Sequence, residues 1–424
     1  MLTDSMQSDY LAILREELLP ATGCTEPIAI AYCAARLRAL LGAAPERITA
    51  TVSGNILKNV KSVVVPNTGG LRGLPAAIAA GILGGRPEAE LQVIAEIPTE
   101  LIPEIRRYIA ETPVEIRCGS SPCMLDIALV GESCGHSASV RITNHHTNIV
   151  YLEKDGQVLL SLPIVASSED HLTDKRCLNV ADIIAFADTV SMERLRPVLE
   201  PQAQCNMAIA EEGIRNPWGA QIGRILLEEG RGDAVTEARA YAAAGSDARM
   251  SGCELPVVIL SGSGNQGITA SVPVICYARR LGVPEEKMYR ALAVSDLITI
   301  HQKSGIGRLS AYCGAISAGV GAGAGVAYLH GGGERAIAHT VVNAVAILSG
   351  TICDGAKASC AAKIASAVDA GILGYRMFLH DQEFRSGEGI VGTCADRTFA
   401  NVGTLAQEGM QQTDRTILQI MTES

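Results

Sequence analysis

Three cysteines late in the chain have the residue type and setting for joint chemistry. They are Cys313 in Ser-Ala-Tyr-Cys-Gly-Ala, Cys353 in Thr-Ile-Cys-Asp-Gly-Ala-Lys and Cys360 in Ala-Ser-Cys-Ala. Small neighbours leave room for a pocket, and three thiolates on a [4Fe–4S] cube would leave one iron open to substrate. Spacing alone does not select that reading, because the three are not compact CxxC pairs and buried cysteines also serve as small hydrophobes. One continuous helix would set Cys353 and Cys360 about 10 Å apart. A shared cluster therefore requires a non-helical link at Asp354-Gly355.

Other residues could complete a site. Cys24 lies in Ala21-Thr-Gly-Cys-Thr-Glu-Pro27, and Pro27 suits the first turn of a helix. Cys24 is thus expected just ahead of a helix N-terminus, where dipole and free amides favour a thiolate. Gly262-Ser-Gly264-Asn-Gln-Gly267 matches the dinucleotide fingerprint, but no repeated βαβ pattern surrounds it. The same physics suits a smaller anion, with Gly264, Asn265 and Gln266 near a substrate carboxylate at a helix start. Ser53, Asn55, Asn59 and Asn67, in two amide-rich stretches beside glycines, are further candidates for substrate amine or carboxylate; turn chemistry explains them equally well. His145-His146 reads as a solvated loop pair, and Cys394 as a packing residue.

The Cys313/Cys353/Cys360 arrangement, the Ala21–Pro27 motif and Ser-Gly-Ser-Gly-Asn-Gln-Gly at 261–267 together resemble the iron–sulfur L-cysteine desulfidases, relatives of the alpha part of bacterial iron–sulfur L-serine dehydratases. The likeness runs over nearly the whole chain. It implies a [4Fe–4S] cluster on Cys313, Cys353 and Cys360, with L-cysteine as substrate. It also implies β-elimination to pyruvate, ammonia and sulfide without pyridoxal phosphate, the open iron acting as Lewis acid. Cys24 is then the expected base at the α-carbon. Alternatives stay open: an L-serine dehydratase-type lyase on the same fold, a pyridoxal phosphate lyase on Lys58, Lys61, Lys303 or Lys357, or a non-catalytic zinc or thiol protein that binds amino acids.

These residues must be positioned by a chain of 424 residues, long enough for two domains. Its net charge of −10 and lack of a basic patch argue against nucleic acid. Thirteen cysteines without a basic-then-apolar leader predict a reducing cytoplasm. The apolar runs 255–278, 309–333 and 336–353 carry too many glycines and amides for lipid, so buried helices and no membrane association are expected. Gly/Ala-rich helices are compatible with a homodimer.

The predicted fold class is α+β: a mixed α/β domain with a partly antiparallel sheet, plus a mainly α-helical cluster-binding domain. Residues 1–44 are read as N-terminal helices packing on the helical domain and carrying Cys24, 45–177 as the α+β domain, and 178–424 as the helical iron–sulfur domain. Strands are expected over 48–53, 61–65, 91–97, 114–118, 126–130, 139–143, 149–153 and 157–162, the last two flanking a hairpin at Lys154-Asp155-Gly156. Beyond 178, helices dominate, with stops at Gly230 and Gly245.

Overall fold

The computed structural model describes residues 2–165, 172–230, 232–307 and 310–423. Leu11 and Leu14 are buried on α1 (Asp4–Glu17), as their one-face spacing predicts. A short strand, β1 (Leu19–Thr22), leads to α2 (Thr25–Leu41), which ends at Gly42 in the left-handed conformation. Then come β2 (Arg47–Val52), α3 (Gly54–Val60), α4 (Gly73–Gly84) and α5 (Ile102–Glu111). The strands β3 (Val114–Cys118), β4 (Asp126–Ser133), β5 (His136–Thr143), β6 (Ile149–Lys154) and β7 (Gln157–Ser161) complete this half.

The six strands form one sheet in the order β3-β2-β4-β5-β6-β7, parallel only between β2 and β3. The chain is therefore α+β with a partly antiparallel sheet. On β4, Ile127 and Leu129 face the core while Val130 faces out, the period of two that one-sided burial demands. The β6–β7 turn at Asp155-Gly156 takes positive φ at both residues (49° and 78°), as a two-residue hairpin turn requires. Two expected strands are absent among the described residues: 61–65 keeps a single bridge, Val64 to Arg72, and 91–97 is mostly turn. The 91–97 carbonyls serve Asn67 instead, whose Nδ2 donates to Ile94 and Ala95 at 2.9 and 3.1 Å.

The rest is helical: α6 (Val180–Thr189), α7 (Met192–Arg215), α8 (Ile222–Glu229) and α9 (Ala234–Met250), then the strand β8 (Pro256–Ile259). It continues as α10 (Gly264–Leu281), α11 (Glu285–Ile306), α12 (Gly314–Leu329), α13 (Glu334–Leu348), α14 (Cys360–Leu379), α15 (Ala395–Thr404) and α16 (Gln411–Glu423). Gly245 does not stop α9; it lies inside the helix, against Ala210 of α7. Helices α12 and α14 cross backbone to backbone: a Cβ on Gly323 would stand 2.4 Å from the Gly371 carbonyl. That close approach is the use of the Gly/Ala-rich composition.

α2, read from the sequence as packing on the helical half, lies over β4, β5 and α4, whereas α1 lies on α7 and α11. The apolar core runs through both halves without a break. β1 pairs antiparallel with β8, Leu19 opposite Ile259 and Thr22 opposite Pro256. This ribbon sets the turn at residue 24 beside the loop at 262–267, although about 240 residues of chain separate them. Among the described residues no helix is long and apolar enough to cross a membrane.

Candidate active site

Four helix N-termini open onto one cavity. Cys24 is the N-cap of α2, Ser263 of α10 and Cys313 of α12, and Cys360 is the first residue of α14. None of these ends carries a side-chain capping bond, so their amides are not satisfied by their own caps. The cavity has a volume of about 100 Å³, several times the space one water molecule needs on the same measure. Each helix end adds a partial positive charge of roughly half an electron. The surroundings therefore favour anions.

The three late cysteines reach the cavity by a local device. Cys313 N donates to the Thr351 carbonyl at 3.0 Å and Cys353 N to the Ala311 carbonyl at 2.6 Å, with Tyr312 bridged to Ile352. This miniature antiparallel ladder sets the two cysteines side by side. The chain then turns at Gly355, with φ of 94°, where a Cβ would lie 2.5 Å from the Lys58 carbonyl. A side chain is excluded there on both counts. Helix α14 begins only at Cys360, so the link at Asp354-Gly355 is non-helical, as sharing a cluster requires. Burial opposes ionisation of Asp354, yet hydrogen bonds from Lys357 and Lys363 hold its carboxyl at about 2.

The thiols differ in their electrostatics. A hydrogen bond from Cys313 lowers Cys353 to about 6 against the cost of burial, helped by the charges of Lys58 and Lys303. The same hydrogen bond, then burial, raises Cys313. Burial also raises Cys360. Cys24 departs from expectation. It caps α2 as predicted, but burial, followed by the nearby Glu26 charge, pushes its thiol well above the ordinary value instead of lowering it. Cys24 Sγ donates to Glu26 Oε2 at 3.2 Å, and Glu26 also accepts from Thr25 Oγ1 (3.1 Å) and from Asn59 Nδ2 on Oε1 (2.9 Å). The first turn of α2 thus carries the chain's own carboxylate.

Of the amide candidates, Asn55, Asn59, Asn265 and Gln266 line the cavity, together with Cys24 and the three late cysteines. Asn55 Oδ1 and Gln266 Oε1 are buried without a hydrogen-bond partner. Gly264 lies under the Arg249 guanidinium, which a Cβ would meet at 2.4 Å. Ser53 and Asn67 are elsewhere engaged: Ser53 Oγ donates to the Met124 carbonyl at 2.6 Å, and Asn67, with φ of 57°, braces the 94–95 turn. Neither lines the cavity, nor do His145, His146 or Cys394. The 53–59 stretch is a helix with Ser53 as N-cap, not a loop. As for the dinucleotide alternative, among the described residues β8 pairs only with β1 and antiparallel, so the 262–267 loop has no parallel sheet behind it there.

Three residues not anticipated as binding groups also line the cavity, Glu26, Arg249 and Lys363, beside Lys58 and Lys303 from the pyridoxal phosphate alternative. Glu26 was visible in the Ala21–Pro27 motif, two residues after a capping cysteine. Arg249 carries no local signal. Among the described residues no three His, Cys, Asp or Glu side chains converge as donors to a single ion, the geometry of a closed zinc site. Cys313, Cys353 and Cys360 all line the cavity, and thiol is the donor type that a cluster would require.

The serine dehydratase alpha chain family matches residues 91–419. A UPF0597 protein of Desulfitobacterium hafniense is 53% identical over 418 residues, covering 99% of this chain and 97% of its own. UPF0597 proteins of Treponema denticola and Lachnoclostridium phytofermentans are 43% and 47% identical, each over at least 98% of both chains. The chain belongs to the serine dehydratase alpha chain family.

Proposed function

We propose that this protein is a lyase of the serine dehydratase kind that eliminates the β-substituent of a small amino acid, and that its substrate is L-cysteine. L-Cysteine and water would yield pyruvate, ammonia and sulfide. The observation that carries the reading is the convergence of three thiols, four helix N-termini and unpaired buried amide oxygens on one cavity. Cys313, Cys353 and Cys360 would hold a [4Fe–4S] cluster, which when bound supplies a thiophilic Lewis acid for a leaving sulfur.

The chain's own residues supply the rest. Cys24 Sγ transfers its proton to Glu26 Oε2, 3.2 Å away, and is then free to take the α-proton. Asn59 holds Glu26 in place through Oε1. Asn265, which lines the cavity, and the first amides of α10 would receive the substrate carboxylate. Lys58 and Lys303, whose charges act on Cys353, offset the negative charge of thiolate ligands. Burial of these groups limits bulk water around the reacting atoms.

The test is anaerobic purification or reconstitution, an iron and sulfide count, and assay of sulfide and pyruvate from L-cysteine and L-serine. About four irons per chain, with sulfide from cysteine, is expected, and Cys313→Ala, Cys353→Ala or Cys360→Ala should lose both iron and activity. Pyruvate from serine alone would move the substrate to L-serine, the reading favoured by the family's name. Cys24→Ala is expected to keep its iron and lose turnover; full turnover would remove Cys24 from the base role.

A further inference from the structure

Arg249 ends α9 and is only 2% exposed. Its Nε donates to the Gly23 carbonyl at 3.0 Å and its Nη1 to Asn265 Oδ1 at 3.1 Å. Its Nη2 is buried without a hydrogen-bond partner, and the residue lines the cavity. A guanidinium stays charged in a protein interior, and a buried charge without a counterion is costly. Beside it starts α10, eighteen residues long, whose cap Ser263 makes no side-chain bond to the helix amides. The same cavity has the opposite need: Gln266 Oε1 and Asn55 Oδ1 are buried acceptors without donors. One unpaired cationic donor and two unpaired acceptors in one enclosure complement a zwitterion, with the anion at Arg249 and the cation at the amide oxygens.

We propose that Arg249 is the carboxylate anchor of this site and restricts its substrates to free α-amino acids. The carboxylate takes Arg249 Nη2 and the first amides of α10; the ammonium donates to Gln266 Oε1 and Asn55 Oδ1. The inference deepens the lyase reading and rests on its assignment of the cavity to an amino acid. It adds a residue that also holds the loop before Cys24, since Nε grips Gly23. Gly264 leaves the guanidinium its place, because a Cβ there would stand 2.4 Å from Nε.

The experiment is titration calorimetry of the full chain, before and after cluster reconstitution. The probes are L-alanine, which has no leaving group, L-alaninamide, which lacks the carboxylate, and propionate, which lacks the ammonium. L-Alanine should bind, and L-alaninamide and propionate each at least about 10-fold more weakly, as loss of a charge-assisted hydrogen bond implies. Arg249→Gln should weaken L-alanine about 10- to 100-fold and leave L-alaninamide unchanged. Gly264→Ala, which displaces the guanidinium without removing its charge, should weaken L-alanine too, and it serves if Arg249→Gln does not fold. No binding of L-alanine, equal binding of L-alaninamide, or unchanged L-alanine affinity in folded variants overturns the proposal. Arg249-dependent binding without sulfide or pyruvate release would leave the anchor standing and remove the lyase. Turnover of L-cysteine with an unchanged KM in Arg249→Gln would do the reverse.

Discussion

Helices α2 and α10 both begin at the cavity, and both caps lack a side-chain bond to the helix amides. Their ends are used differently. At α2 the chain supplies its own anion: Glu26 sits in the first turn and gathers hydrogen bonds from Cys24, Thr25 and Asn59. At α10 the chain supplies no anion in the first turn and instead adds a cation, Arg249, with one nitrogen unpaired. The first end has a carboxylate of its own beside it, and that charge, with burial, keeps Cys24 a thiol. The second end is incomplete until an outside anion arrives. A helix N-terminus thus indicates function only when read with what already fills it.

The strongest way to break this contrast is to neutralise the α2 end. Glu26→Gln keeps the shape but removes the proton acceptor for Cys24. Turnover is expected to fall about 10²- to 10⁴-fold, the range for loss of a positioned acid–base group. Iron content should not change, since Glu26 is remote in role from the three late cysteines. Steady-state kinetics with an iron assay decide it; undiminished kcat would mean that Cys24 loses its proton by another route.

A second buried acid sharpens the contrast, because it has neither a helix end nor a cation. Asp296 on α11 is fully buried, accepts one hydrogen bond from Gln202 Nε2 at 2.9 Å, and leaves Oδ2 without a partner. Burial, only partly opposed by Gln202, raises its pKa to about 7. Because the folded value lies above the unfolded one, near 4, its protonated form favours the fold. That stability is full below about pH 4 and is lost as pH rises through about 7. Asp296→Asn should therefore stabilise the protein at pH 8 by up to about 4 kcal/mol and by little at pH 4. Urea denaturation of both proteins at the two pH values checks this; equal differences at both would show that Asp296 does not titrate in that window.

How far the site could be read from the sequence follows the range of the contacts involved. The break between Cys353 and Cys360 was legible because a shared cluster forbids a continuous helix between them, and Asp354-Gly355 is where the chain can turn. The hairpin at Asp155-Gly156 and the alternation in β4 were legible because both are local patterns. Lys61–Val65 and 91–97 were apolar enough for strands, but tertiary contacts used their backbones otherwise. Ser53 and Asn55 looked alike in one polar stretch. Only the start of α3 decides that Ser53 turns to the Met124 carbonyl while Asn55 lines the cavity. Arg249 was illegible altogether. Its partners, Gly23 and Asn265, are brought to it by the pairing of β1 with β8, which no local pattern announces.

The smallest expected effect concerns the part of the cavity lined by the helix after β2. Helix α3 carries Asn55, Lys58 and Asn59 into the cavity, yet it is only seven residues long and cannot hold itself. The C-terminal helix braces it: Asp414 pairs with Lys58 at 2.5 Å, and Leu418 packs where a Cβ on Gly54 would lie 2.6 Å away. The Lys58 side chain is 1% exposed and that of Asp414 14%, so the pair lies between a surface bridge and a fully buried one. Asp414→Asn should cost about 1–2 kcal/mol on that intermediate footing. It should also loosen α16, seen as faster limited proteolysis near the C-terminus, and raise KM more than it lowers kcat, because Asn55 and Asn59 would be held less firmly. The α10 wall, fixed from within the helical core, should be untouched, so the residual preference for L-alanine over L-alaninamide should survive. Loss of that preference in Asp414→Asn would mean that the two walls are not independently held, and that the carboxylate end of the site depends on the C-terminal helix as well.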